Sequence, residues 1–412
     1  MPLSSLPAEL LLQILASAAT HSLSSLLALA SASRRLYTLF RADQTTLLYR
    51  ALISDLGPVL ADALALLHIQ ALDGPPQEWI AQLEEVLSMY EGYLAGGGPK
   101  NGLTAEEVAR LARWYGAVKF VAGVYTACAL GVFETEVRPD LISSAEGVLD
   151  TAGGEAGANI GEVVTAPLSR PERLRILRAF YRLQIVQLVW SRPGCRLLLG
   201  TPDAKRVNSR LFGLWELWEV QQFFCAGAFY QRFRVELSDA WLGQYSRDPR
   251  IVTLTNRVRC CFSRCRGLVL EVRAGDRNAW DTTMRRESSF PSGPDIAGTE
   301  EESWASWFRD PLCSYSRFLG VPERHRFPVS LYFEGDSVNA MPLAWVDAYG
   351  GYYGYNFWEL ISAISHGGKP TQGMWSRLGL VMWDAPRVEA LKTTSFLSHC
   401  VTGWARSGLG TP

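Results

Sequence analysis

Between residues 6 and 52, apolar side chains recur every three or four positions and are interrupted twice by short polar steps. Leu10, Leu11, Ile14, Leu15 and Ala18 form a first stripe, the spacing of an amphipathic helix. Thr20 and His21 interrupt it. Leu23, Leu26, Leu27 and Ala30 form a second stripe, with Ser22 placed to cap its start. Ser33-Arg34-Arg35 leads into a third, Leu36, Tyr37, Leu39 and Phe40. Pro7 suits the first position of the first helix, where a missing N–H costs nothing. Glu9 then lies in the first turn, where a carboxylate meets the positive end of the helix dipole. None of the three segments is long enough to be stable alone, so each must bury its stripe against its neighbours. A small unit that is apolar on more than one face has a second surface to cover, and this points to a partner.

The helical period continues through much of the chain. Residues 61–71 continue helical, and Asp73-Gly74-Pro75-Pro76 is a break. Trp79, Ile80, Leu83, Leu87, Tyr90 and Leu94 predict a helix that the glycines at 96–98 and Pro99 should end. Thr104 and Glu107 have capping-box spacing ahead of Val108, Leu111, Tyr115, Val118, Ala122 and Tyr125, a long buried helix closing near Gly131. Ser169 and Glu172 repeat that spacing before Leu174, Leu177, Tyr181, Ile185 and Leu188. Residues 208–237 read as one or two aromatic-rich helices and 251–272 as another, and Asp384 as the cap of a last one through Leu391. Residues 143–165 and 285–303 carry the composition of flexible loops. From residue 322 short segments alternate with Pro, Gly and Tyr, and no repeat of fixed period occurs. The expected fold is mainly α. A three-helix module at 1–52 precedes an irregular helical domain at 53–412, with a loop-rich C-terminal part.

Charge and composition narrow the function classes. Across 412 residues the formal net charge is -1, which removes a whole-chain electrostatic case for nucleic acid or an anionic membrane as partner. The arginines of 170–178 and 257–266 stand at helical spacing and read as solvated faces or ion pairs. The longest uncharged apolar run, 120–133, is too short to span a bilayer, and the N-terminus lacks the basic region of a secretory signal. Eight irregularly spaced cysteines do not form a disulfide scaffold, so a reducing cytoplasmic or nuclear setting is expected. Cys260, Cys261 and Cys265 cluster, but a zinc site wants paired ligands and the five histidines are scattered, so neither metal nor cofactor is expected. No Gly-x-Ser-x-Gly elbow is present, and Gly367-Gly368-Lys369 is followed by Pro370, which spoils a phosphate loop. Nothing favours one catalytic nucleophile over another, so a helical enzyme with a dispersed active site stays open as a reading that no motif supports. The tryptophan pairs Trp215/Trp218, Trp304/Trp307 and Trp375/Trp383 read first as core and second as the lining of a partner pocket.

The order of features in the first stretch resembles the F-box, in its fungal form. The residues that carry the resemblance are Leu6, Pro7, Glu9 and Leu10, then Ile14 and Leu15, then Leu26, Leu27 and Leu29, closing in Ser33, Arg34 and Leu36. Tyr37, Phe40 and Leu47-Leu48-Tyr49 are similar to the tail of that branch, and Trp375, Leu378-Gly379-Leu380 and Trp383-Asp384 to the closing segment of many members. Ser24 or Ser25 stands where the family often has aspartate, and Tyr49 where it often has tryptophan. The resemblance implies an adaptor-binding set of Leu6, Pro7, Glu9, Leu10, Ile14, Leu15, Leu26, Leu29, Ser33, Arg34 and Leu36. These would dock on the Skp-family adaptor of a cullin-RING (SCF) ubiquitin ligase. The remaining helical domain would hold an unknown protein substrate, and the chain would be no enzyme itself, contributing proximity rather than chemistry. The alternative is an F-box-like helical scaffold that acts without a cullin.

Overall fold

The structure is a computed structural model and describes residues 6–99, 102–132, 163, 165–191, 201–245, 334–349 and 379–392. All regular structure among these residues is helical, with no strand. The helices are α1 (Ala8–His21), α2 (Leu23–Ser31), α3 (Arg34–Ala42), α4 (Gln44–Leu56), α5 (Leu60–Ala71), α6 (Pro76–Leu94), α7 (Ala105–Val132), α8 (Arg170–Ser191), α9 (Pro202–Gly213), α10 (Leu217–Tyr245), α11 (Leu343–Tyr349) and α12 (Ala385–Lys392). Short 3-10 turns occupy Gly57–Val59 and Leu380–Met382. The chain divides into two compact units, residues 1–120 with 184–189 and residues 121–183 with 190–412. Residue 52, where the sequence reading places the end of the first module, lies within α4.

In the first unit α1 packs on α2, α3 and α4, and α5 packs on α6. Trp79, Leu83, Leu87 and Tyr90 on α6 are buried, while Ile80 is half-buried and Leu94 exposed. Asp62 on α5 is fully buried, and its Oδ1 accepts the Tyr90 hydroxyl at 2.5 Å. Helix α6 stops at the glycine run, where Gly96 takes φ +91°, a conformation other residues reach only with strain. Helix α7 starts with a complete capping box: the Thr104 N–H donates to Glu107 Oε2 at 2.8 Å and the Glu107 N–H to Thr104 Oγ1 at 3.3 Å. The run Gln44–Ala71 is long and apolar enough to cross a bilayer by composition, with a mean hydropathy of 1.6 over its most apolar 18 residues. Its most apolar window is 61% buried inside the protein, and a 3-10 turn interrupts it. Arg50, Asp55 and Asp62 punctuate it, so it contains no long uncharged run.

In the second unit the arginines of 170–178 follow the ion-pair branch of the expectation. Arg175 and Arg178, with Arg182 one turn further along α8, turn away from solvent. They are buried, and ion pairs hold them there. Arg175 donates to Asp384 at 2.7 Å and to the Ser337 carbonyl at 2.8 Å. Arg178 and Arg182 share Glu219 of α10 at 2.5 and 2.9 Å. The α8 capping box forms as its spacing predicts: the Ser169 N–H donates to Glu172 Oε2 at 2.9 Å. Glu172 also accepts from Arg387 Nε at 2.9 Å and from the Asp384 N–H at 3.0 Å. Asp384 uses its carboxylate on Arg175 and on the Ser169 hydroxyl, so a different residue, Asp336, accepts from the first N–H of α12 at 3.0 Å. Three distant segments are thus tied through buried charges, each of which needs a partner to stay buried.

Around this network lies an aromatic core. Tyr125 stands 5.1 Å from Phe229, 5.7 Å from Phe180 and 6.4 Å from Trp383 between ring centroids. Trp215 and Trp383 are buried and Trp218 is half-buried. The predicted loops at 285–303 and nearly all of 143–165, the helix at 251–272, the cysteines Cys260, Cys261 and Cys265, and Trp304, Trp307 and Trp375 lie outside the described residues.

Candidate interaction surface on the N-terminal helices

Local side-chain caps cut the first stretch into short helices. Pro7 stands one residue before α1 rather than inside it, with φ -53° and ψ 151°, and its carbonyl accepts from the Leu11 N–H at 3.2 Å. Glu9 occupies the first turn. Ser22 caps α2 by accepting from the Ser25 N–H at 3.0 Å, and Ser33 caps α3 by accepting from the Leu36 N–H at 3.2 Å. The end of α4 clamps the α1–α2 junction. Asp55 accepts from the Leu23 N–H at 3.0 Å, and the Ser54 hydroxyl donates to the Thr20 carbonyl at 2.6 Å. Elsewhere on α2, Lys119 Nζ donates to Ser24 Oγ at 3.2 Å. Ser54, Asp55 and Lys119 are the positioning residues that sequence reading missed. Each acts on a partner more than thirty residues away, so no local spacing announces them.

The structure divides the eleven expected adaptor-binding residues by burial. Leu15, Leu26 and Leu36 are at most 2% exposed and form the core between α1, α2 and α3. They hold the helices together and cannot themselves touch a partner. Leu6, Ile14, Leu29 and Ser33 are half-buried, and Pro7, Glu9, Leu10 and Arg34 are exposed. A helical motif written as one string therefore merges two duties, because residues three or four apart share a face while residues one or two apart do not.

The exposed apolar side chains are concentrated here. Of the five large hydrophobic residues most open to water among the described ones, Leu10, Leu27, Tyr37 and Ile53 lie on α1 to α4, and only Leu94 lies elsewhere. Helix α2 carries no charged residue at all, and α1 carries Glu9 and His21 alone. Helix α3 is the reverse: its outer face bears Arg34, Tyr37, Thr38 and Arg41, and its inner face Leu36 and Phe40. Tyr49 is half-buried and lines a hollow of about 330 Å³ with Thr45, Thr46, Arg50, Ile53, Leu103 and Val108. Burial pushes the Tyr49 hydroxyl above its ordinary pKa, so it is a neutral donor at physiological pH.

Among the described residues no three His, Cys, Asp or Glu side chains converge as metal ligands would. No family model, no curated protein and no solved structure matches this chain.

Proposed function

We propose that this chain is a substrate receptor of a cullin-RING ubiquitin ligase, docking on the Skp-family adaptor through its first helices. The observation that carries the reading is the coincidence of two independent features on one element. The stretch whose residues resemble the F-box is also where exposed apolar side chains gather, at Leu10, Leu27 and Tyr37. Water-exposed leucines on adjacent packed helices are what a protein partner removes from solvent. The core leucines Leu15, Leu26 and Leu36 present that surface, and the residues that touch the adaptor are Leu6, Pro7, Glu9, Leu10, Ile14, Leu29 and Arg34. The rest of the chain holds a protein substrate, and the chain contributes proximity to a transfer catalysed elsewhere.

The test is binding of the purified full-length chain to the purified adaptor, with the cullin added afterwards. The expected result is a stable complex that recruits the cullin and is weakened at least about tenfold by Leu6→Ala with Pro7→Ala, the size of loss expected when an apolar anchor is truncated. A folded chain that shows no binding, or binding that these changes leave intact, ends the proposal.

A further inference from the structure

We infer that the outer face of α3 is an electrostatic contact for an acidic protein surface, with Arg34 and Arg41 as its cationic points and Tyr37 as the apolar contact beside them. This rests on the docking reading above. It adds the partner's charge, and two residues, Tyr37 and Arg41, that the adaptor-binding set does not contain. Arg34 and Arg41 are both exposed, and neither is ion-paired to a carboxylate among the described residues. Arg41 is steered by a hydrogen bond from Nη1 to Gln44 Oε1 at 2.8 Å, which leaves its charge unneutralised. Seven residues, or two turns, separate the two arginines, so they share a face about 10 Å apart along the axis. Tyr37 is 52% exposed, and its ring leans on Phe40 with centroids 6.5 Å apart, which holds a large amphipathic side chain out to solvent.

The surroundings favour protein over nucleic acid. Residues 6–56 carry four arginines against three carboxylates, Glu9, Asp43 and Asp55. Nucleic-acid affinity rests on neutralising many phosphates with a clear excess of positive charge, and this module has almost none. The helices that pack on α3 instead expose Leu10 and Leu27. An apolar contact bordered by a few unpaired cations fits a protein whose docking face has an apolar centre and a carboxylate-bearing rim.

The experiment measures association of the full-length chain with a purified Skp-family adaptor between about 50 and 500 mM salt, a range that spans the screening of rim charges. The wild-type association rate should fall as salt rises. Arg34→Glu with Arg41→Glu should associate about tenfold more slowly at low salt and lose most of the salt dependence, because rim charges act on the encounter rate. Arg34→Lys with Arg41→Lys should restore both. Arg34→Gln with Arg41→Gln, which adds no repulsion and leaves the fold undisturbed, should fall between. Leu10→Ala should raise the dissociation rate and leave the salt slope as it was. A folded charge-reversed chain that keeps the wild-type rate and slope overturns the assignment of α3 alone. Wild-type chain that fails to bind the adaptor at any salt overturns the docking reading and this inference with it. Binding to duplex DNA that the reversal abolishes, with adaptor binding unmoved, overturns the choice of protein as partner.

Discussion

Replacing Glu219 by glutamine should destabilise the second unit strongly at neutral pH and far less in acid. Glu219 is 8% exposed, accepts from Arg178 at 2.5 Å and from the Glu216 N–H at 2.9 Å, and is ion-paired with Arg182 at 2.9 Å. Burial by itself pushes its carboxyl up; the two guanidiniums outweigh that and hold it at about 2, against an ordinary 4.5. A folded-state value below the unfolded one means that the stabilisation is complete above pH 4.5 and is lost as the pH falls through 2. The gap corresponds to roughly 3 kcal/mol, the same order as the cost of stranding a buried charge. Glutamine keeps the shape but removes the negative charge that Arg178 and Arg182 share. Asp384, raised chiefly by burial, is common to both proteins and cancels in the difference. Urea unfolding at pH 7, 5, 3.5 and 2.5 should therefore show a gap of about 3 kcal/mol at pH 7 that closes between pH 4.5 and 2, where protonated Glu219 becomes equivalent to the amide. Trp215 is fully buried and stacks 4.9 Å from the Arg182 guanidinium, so tryptophan fluorescence reads the event locally. A gap under about 1 kcal/mol at pH 7, or one of constant size down to pH 2.5, would refute the account of these arginines.

The remaining expectations separate packing from surface. Leu15→Ala should lower stability by about 2–5 kcal/mol in a thermal or urea melt. Leu10→Ala should move the same melt by only about 0.5 kcal/mol yet weaken the adaptor complex, and equal effects of the two on stability would contradict the burial pattern. Ser24→Asp places a carboxylate in the first turn of α2, within reach of Lys119. It should raise stability by about 0.5–1 kcal/mol at low salt, and a gain that survives 1 M salt would exclude the ion pair as its source. Gly379 has φ +60° and a Cβ there would collide with the Tyr125 hydroxyl. Gly379→Ala should cost about 2 kcal/mol or more and speed proteolysis of the C-terminal segment; a neutral result in a proteolysis series would contradict the packing of Gly379 against Tyr125.

The local punctuation of the helices is legible in the chain itself. Ser22, Ser33, the Thr104/Glu107 and Ser169/Glu172 pairs and the 96–98 glycines start or stop helices where their spacing says they should. A cap or a breaker acts on backbone groups within four residues, so everything it needs is written beside it. The 3.6-residue stripes likewise marked α6 and α7, because a helix that must bury one face repeats that demand every turn. Tertiary structure decided the rest. Periodicity says that α1 has an apolar side but does not say that Leu15 lies inside it while Leu10 is left to water; the packing of α2, α3 and α4 draws that line. The arginines of α8 look the same in sequence whether solvated or buried. Only Asp384 and Glu219, brought up from 37 or more residues away, and the carbonyl of Ser337, make their burial affordable in charge. Asp55 and Lys119 reach the α1–α2 junction and α2 in the same non-local way, and so complete the module whose first helices carry the F-box resemblance.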